Sequence, residues 1–346
     1  MSTVTLHDVA ERCGVSTATV SAVVNGAPWV SSTTRNRVQR AVDEMGYRPN
    51  QFARSLKTQR GYAIGVIASD LTNPFFTEVV RSLSHVIRED GRVLFLCDSD
   101  HRFELGDTNL RMLFDSHIAG LVLIGDSVRE ETLKRYLRRR TRVPIVAIER
   151  DYELDDVSCL VADSEAGAHA ATQHLLGQGY ERIAMIGGPQ QGPGSNTYGR
   201  AQRYAGYLRA LEEAGVPHDG KLVVEGNFRF AGGQEAMRRL LAGRTRPDAV
   251  FAANDMMALG AISVIHGTGL RLPDDIAVVG FDDLPIAALT SPGLTTVSMP
   301  KSELGRGAAV TLAQQMAHAR PLALRRVLDT ELVVRQSSTR WAASRS

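Results

Sequence analysis

The sequence predicts a small all-α helix–turn–helix headpiece followed by an α/β body of two doubly wound parallel-sheet lobes. Three observations predict it. The first sixty residues carry helix caps and apolar residues at helical spacing. From Tyr62 onward, short Val/Ile/Leu runs alternate with helical stretches, the pattern of parallel strands covered on both faces. These strand–helix units are too many for one ordinary sheet, which favours two lobes. A chain of 346 residues suits roughly two to three domains at about 100–200 residues each.

Taken in order, "TLHDVAERCGVSTATVSAVV" reads as helix, tight turn, helix. Thr5 and Asp8 form a capping box that opens the first helix, which runs to about Cys13. Gly14 stops it, because a sharp turn requires a left-handed residue. Ser16 is placed to cap a second helix, Thr17 to about Val24. Val9, Ala10, Val15, Val20 and Val23 are expected to face inward. A third helix spans about Ser32 to Met45, with Val38, Ala41, Val42 and Met45 on one face and Gly46 after it.

Charge sets this block apart. Residues 1–60 hold eight Arg/Lys against four acids, +4, whereas the remainder holds 32 basic and 34 acidic side chains, −2. A basic head on a near-neutral body points to a polyanion partner for the head alone. The second helix also exposes short polar groups, Thr17, Ser21 and Asn25, in place of the Glu/Lys pairs of a solvated face. Such a helix in the major groove reads base edges with its N-terminal residues. Ser31, Thr34 and Arg35 are suited to the phosphates, which set register.

"VTLHDVAERCGVSTATVSAVVNG" and "VSSTTRNRVQRAVDEMGYRPNQFARSL" closely resemble the DNA-binding headpiece of the LacI/GalR family of bacterial transcription regulators, and the resemblance extends over nearly the whole chain. Ala22 stands where members often carry a longer base-contacting residue, and Thr17 and Ala18 are also short, so a distinct operator preference is expected. Trp29 replaces a commonly smaller or polar loop residue. The expected DNA-contacting set is Thr5, Ser16, Thr17, Ala18, Ser21, Ala22, Asn25, Ser31, Thr34 and Arg35, joined by Asn50, Ala53, Leu56 and Lys57 of the following segment.

That segment, "RPNQFARSLKTQRG", carries a helical apolar stripe of Phe52 and Leu56 beside Ala53, with Arg54, Lys57 and Arg60 around it. An eight-residue helix alone in water is marginal, so it is expected to order only against a partner. The resemblance identifies it as a hinge helix that packs on its dimer mate and places Leu56 in the minor groove, where an apolar wedge bends the duplex.

In the body, strand candidates are "AIGVIAS", "RVLFLCDS", "AGLVLIG", "PIVAIER", "CLVAD", "RIAMIGG", "LVVEGN", "AVFAAN" and "IAVVGFDD". The resemblance implies a periplasmic-binding-protein-like body whose lobes are joined by three crossovers, the last two near "SPGLTTVSMP" and "ARPLALRR". Expected domains are residues 1–48 as headpiece, 49–61 as hinge helix and linker, and 62–340 as effector-binding and dimerisation domain. Within it, the N-lobe takes about 62–161 plus 292–320 and the C-lobe about 162–291 plus 321–340.

Ligands of open parallel sheets bind beyond the carboxyl ends of the strands. Those ends offer Asp70, Asn73, Phe75, Phe76, Glu149, Arg150, Asp163, Arg203, Phe228, Asp255, Phe281 and Asp282. Aromatic faces with carboxylates and guanidinium groups suit a small polar ligand, often a sugar. Duller roles stand beside these. Asp255 and Ser164 are also placed to cap helices, one of Phe75 and Phe76 to fill core, Arg150 to serve a structural ion pair, and Arg203 to be a solvated helix charge. The resemblance assigns effector contacts to positions matching Arg150, Arg203, Phe228 and Asp255. Glu149 departs from an aspartate common before this arginine, and Ser164 from a common asparagine.

An α/β enzyme acting on a small carbohydrate or nucleotide-like metabolite is the rival reading, since fold alone never settles function. No G-x-x-x-x-G-K-S/T, H-E-x-x-H or suitably placed G-x-G-x-x-G is present. "GGPQQGPG" (187–194) fits a ligand-rim loop better than a phosphate cradle. His85, His117, His169 and His174 lie on helical stretches, and the last two, five apart, do not share a metal-binding face. No metal, cofactor or catalytic residue is expected. Cys13, Cys97 and Cys159 show no CxxC pairing, which suits a reducing cytoplasm, and no apolar signal or membrane span is read. The expectation is a cytoplasmic homodimeric repressor on a pseudo-palindromic operator, controlled by a sugar, sugar acid or polyol. A polar tail without leucine heptads argues against a tetramerising coiled coil.

Overall fold

The computed structural model describes residues 4–47, 62–138, 143–188, 198–317 and 323–340. The chain divides into two compact units, Met1–Tyr62 and Ala63–Ser346.

In the first unit, α1 (Leu6–Cys13), α2 (Thr17–Val24) and α3 (Ser32–Met45) begin at caps legible in the sequence. The Asp8 amide donates to Thr5 Oγ1 at 3.3 Å, and the Thr5 amide donates back to the Asp8 carboxylate at 2.7 Å. Gly14 ends α1 at φ 61°, a left-handed backbone that only glycine adopts freely. Ser16 caps α2 and Ser31 caps α3. Val9, Ala10, Cys13, Val20, Ala22, Val23, Val30, Val38 and Ala41 form the buried core, and Val15 packs against it half-buried.

The second unit holds two sheets. The first lobe contains β1 (Ala63–Ala68), α4 (Pro74–Glu89), β2 (Val93–Asp98), α5 (Phe103–Asp115), β3 (Gly120–Ile124), α6 (Glu130–Arg138), β4 (Ile145–Ile148) and β5 (Val157–Ala162). The second contains α7 (Ser164–Gly177), β6 (Ile183–Gly187), α8 (Tyr198–Glu213), β7 (Val223–Glu225), α9 (Phe230–Ala242), β8 (Ala249–Ala252), α10 (Asp255–Gly267), β9 (Ala277–Asp282) and β10 (Thr295–Ser298). The chain then returns to the first lobe as α11 (Lys301–Ala317) and β11 (Arg325–Leu328), and ends its sheets with β12 (Glu331–Val333) in the second.

Strand order is β11-β5-β4-β3-β1-β2 in one sheet and β12-β10-β9-β8-β6-β7 in the other. All pairings are parallel except β10 with β12. Continuous burial along β1, β3, β5 and β9 follows from helices on both faces. α11 packs on α4 at Gly305, where a Cβ would lie 2.4 Å from the Val79 carbonyl oxygen, so a side chain there forces the helices apart.

The crossings fall at 162–164, 298–301 and 328–331. They correct the expected lobe ranges: Thr295–Ser298 completes the second sheet rather than opening the N-lobe return, and Arg325–Leu328 belongs to the first. These strands, with Glu331–Val333, are only three or four residues long and hold at most two apolar residues each, so they lack the apolar run that marks a strand in sequence.

Candidate functional site

Leaving β11 and β12 aside, both sheets run in the order second, first, third, fourth, fifth strand. Strand order reverses beside the first strand, which opens a crevice at the carboxyl ends. A cleft of about 620 Å3, including space open to solvent, lies there. The first lobe lines it with Ser69, Asn73, Phe75, Phe76, His101, Gly125, Asp126 and Glu149. Gly199, Arg200, Arg203, Phe228, Asn254 and Asp282 come from the second.

Asn73 caps α4 by accepting from the Phe75 amide at 3.0 Å, which fixes the two following aromatics on the wall. Phe75 and Phe76 meet edge to face at 5.3 Å. Across the cleft, Phe228 stacks on His101 with ring centres 6.2 Å apart. Arg203, buried on α8, has its guanidinium carbon 4.0 Å from the Phe281 ring centre. One terminal nitrogen donates to the Ala253 carbonyl at 2.5 Å, and the other lies 3.9 Å from the Asp282 carboxylate. Its Nε, also buried, has no hydrogen-bond partner among the described residues. A buried donor left this way costs free energy until an acceptor arrives.

The acids here are unusual. Burial pushes the Glu149 carboxyl up to about 7, against the opposing pull of Arg203 and the Ala162 amide, which donates to Glu149 Oε1 at 2.6 Å. Burial likewise lifts Asp126, beside Arg150, and Asp282, near Arg203, to about 6 each. Near neutral pH Glu149 is thus divided between acid and carboxylate and can donate or accept, whereas Asp126 and Asp282 are mainly accepting carboxylates, a mixture that matches ligand hydroxyls. His101, Glu149, Phe228 and Asp282 all hold positive φ, from 54° to 111°. Strained backbone gathers where side chains must be aimed.

Of the expected residues at the strand ends, the structure brings Asn73, Phe75, Phe76, Glu149, Arg203, Phe228 and Asp282 onto this lining. The other five lie elsewhere. Arg150 pairs with Asp126 behind the wall, its guanidinium 5.1 Å from the Tyr152 ring. Phe281 is fully buried beneath Arg203. Asp163 caps α7, accepting from the Ala166 amide at 2.9 Å. Asp255, wholly buried, accepts from the Leu284 amide at 2.7 Å and the Thr296 hydroxyl at 2.6 Å. Asp70 binds Thr72 and Arg229. The caps of α7 and α10 are Asp163 and Asn254, one residue before Ser164 and Asp255. Sequence reasoning missed Ser69, His101, Gly125, Asp126, Gly199, Arg200 and Asn254 as lining. Ser69, Gly125 and Asn254 follow their strands within two residues, a signal open to a stricter reading of strand ends.

On the headpiece, Thr5 is exposed at the start of α1, and Ser16, Thr17, Ala18 and Asn25 are exposed, with Ser21 half-exposed, along α2 and its ends. Asn25 Nδ2 donates to the Ser21 carbonyl at 2.7 Å. Ser31 is exposed and Thr34 half-exposed at the start of α3. Two expectations change. Ala22 is buried in the three-helix core, because it sits on the inner face of α2 between Val20 and Val23. Arg35 braces the preceding loop by donating to the Ala27 carbonyl at 2.6 Å. Trp29 is 71% exposed. Asn50, Ala53, Leu56 and Lys57, and the rim loop from 189 on, lie outside the described residues. Among the described residues, no helix is long and apolar enough to cross a membrane.

Two family models match: bacterial regulatory proteins of the lacI family at residues 5–50, and a periplasmic binding protein-like domain at 172–338. The ribose operon repressor of Escherichia coli (strain K12) is 36% identical over 331 residues, covering 93% of this chain and 98% of its own. The HTH-type transcriptional repressor PurR of Vibrio atlanticus (strain LGP32) is 35% identical over 312 residues, covering 90% and 92%. The lac repressor dimer bound to operator and the anti-inducer ONPF superposes with a TM-score of 0.83 at 28% identity, covering 98% of this chain and 100% of that one. With a matching headpiece, a matching body and relatives aligned over nearly their whole length, the chain belongs to the lacI family of bacterial regulatory proteins.

Proposed function

We propose that this protein is a cytoplasmic, homodimeric repressor whose operator affinity is set by a small polyhydroxylated effector, a sugar, sugar acid or polyol, held in the interlobe cleft. The carrying observation is the buried Arg203 Nε, without a partner among the described residues, in a cleft lined by Glu149, Asp126 and Asp282 and walled by three phenylalanines. Guanidinium donors, raised carboxyls and aromatic faces together address hydroxyl groups and the apolar faces of a ring. The basic headpiece, with Thr17, Ala18 and Ser21 along α2, reads one half-site. Two-fold symmetry supplies the second. Effector binding shifts operator affinity only through unequal affinity for two lobe arrangements.

A thermal-shift screen of carbohydrates and polar metabolites, followed by operator titration with each hit, tests this. A hit that moves operator affinity supports the reading. Stabilising hits that leave operator affinity unchanged overturn the effector role, and turnover of a hit overturns the sensor role in favour of an enzyme.

A further inference from the structure

All three crossings between lobes leave from one side of the body. β5 and β11 form one edge of the first sheet, and β12 and β10 form the matching edge of the second. The opposite edges are β2 and β7, and no chain joins them among the described residues. Four strand spacings separate β5 from β2, roughly 20 Å at about 4.8 Å each. A hinge at the crossover edge therefore moves the far edge most, and a contact there has the longest lever over opening.

Such a contact exists. Arg229, between β7 and α9, reaches into the first lobe. Its Nε donates to Asp70 Oδ2 at 3.1 Å and its Nη2 pairs with the Asp100 carboxylate. Asp70 follows β1 and Asp100 follows β2, so one guanidinium spans two first-lobe loops. The carboxylate of Asp70 is divided between lobes: Oδ1 accepts from the Thr72 amide at 2.9 Å and hydroxyl at 2.5 Å, and Oδ2 accepts from Arg229 of the second lobe, with His101 Nε2 of its own lobe 3.5 Å away. Asp70 is 1% exposed as a side chain, so its partner matters more than for a surface pair.

The neighbours on each side reinforce the contact. His101 of the first lobe stacks on Phe228 of the second. Asp100 and His101 both take left-handed backbone, at φ 50° and 54°, as does Phe228 at 60°, conformations that persist only when surroundings hold them. The Asn254 side chain fixes the second-lobe loop by donating to the Phe228 carbonyl at 2.8 Å.

We infer that Arg229, with Asp70 and Asp100, is an interlobe clasp that holds the two lobes together at the edge opposite the crossovers. It gates entry to the cleft and biases the lobe equilibrium that the effector reads. For that consequence, though not for the clasp itself, it rests on the effector reading above.

The test needs neither effector nor operator. Spin labels at Arg111→Cys and Arg238→Cys, both exposed and on opposite lobes, are placed in the full chain with Cys13→Ser, Cys97→Ser and Cys159→Ala. Labelled chain is diluted with excess unlabelled chain so that one reporter pair is read per assembly. Pulsed dipolar spectroscopy of the wild-type clasp should give one narrow distance population. Arg229→Met should lengthen and broaden it by several ångströms, and Arg229→Lys should fall between. Asp100→Asn, at a half-exposed carboxylate whose loss threatens no core, should shift it in the same direction. Distributions in Arg229→Met and Asp100→Asn that superpose on the wild type overturn the clasp; should Arg229→Met fail to fold, Asp100→Asn decides alone. A failed clasp leaves the effector screen untouched, and a failed screen leaves these distances untouched.

Discussion

Arg203 stands with its guanidinium carbon 4.0 Å from the ring centre of Phe281, and that ring is itself fully buried. The aromatic face holds the guanidinium in place where Arg203 lines the cleft, with Nη2 3.9 Å from the Asp282 carboxylate. A lysine keeps the charge and loses both the stacking plane and the fork. Arg203→Lys should therefore weaken binding of the screened effector about tenfold or more, the scale of roughly 1.4 kcal/mol. Operator affinity without effector should stay near wild type. Calorimetric effector titration beside operator anisotropy checks both.

Asp255 lies outside the cleft lining and joins the start of α10 to Leu284 and Thr296. Burial pushes its carboxyl up to about 8, so near neutral pH it is largely the neutral acid, which asparagine imitates. Asp255→Asn should keep nearly full stability at neutral pH. Asp255→Ala strands a buried amide and hydroxyl, at about 1–3 kcal/mol for each. Denaturant unfolding of the two variants should separate them clearly, with effector preference unchanged in both.

The cleft acids predict an unusual pH profile. A carboxyl whose folded pKa is raised binds its proton more tightly when folded, so its contribution is full below the unfolded value and lost as pH rises. For Glu149 that loss runs from 4.5 to about 7, and for Asp255 from 3.8 to about 8. Asp70, lowered by its Thr72 and Arg229 hydrogen bonds against the opposing effect of burial, acts oppositely: its stability is present above 3.8 and lost in more acid solution. Thermal unfolding of the body should therefore occur at lower temperature as pH rises through this range. Glu149→Gln should flatten the decline, and a slope identical to wild type would count against the raised carboxyl.

Gly14 turns α1 into α2 at φ 61°, with open space where a Cβ would stand. Any cost of a side chain there is thus conformational. Gly14→Ala should destabilise the headpiece by about 1–2 kcal/mol and Gly14→Asn by less, because asparagine visits this region more readily. Hydrogen exchange of α1 and α2 amides in the full chain should report the difference.

Much of this architecture was readable before any coordinates. The three headpiece helices end where capping residues and glycines place them, and nine strand cores follow from their apolar runs. The sequence hid β10, β11 and β12, whose short segments, with at most two apolar residues each, become strands because an existing sheet edge supplies hydrogen-bond partners. The same limit applies to the cleft. Asn73, Arg203 and Asp282 stand out by type and place, whereas Asp126 pairs with an arginine 24 positions away and His101 meets a phenylalanine of the other lobe. Ala22 was misplaced because an alanine carries no sign of which helix face it occupies.

The interleaving of the two lobes also orders events during synthesis. The first lobe has five of its six strands by residue 162, and the second five of its six by 298. The remaining edge strand of each, and the helix covering part of the first sheet, come from the stretch 301–333. Until the ribosome has passed it, β5 and β10 stand as uncovered edges of the nascent sheets, and uncovered edges recruit foreign strands. A frameshift or premature stop before residue 301 leaves both lobes open at once, so faulty messages should yield aggregates and not half-active repressors.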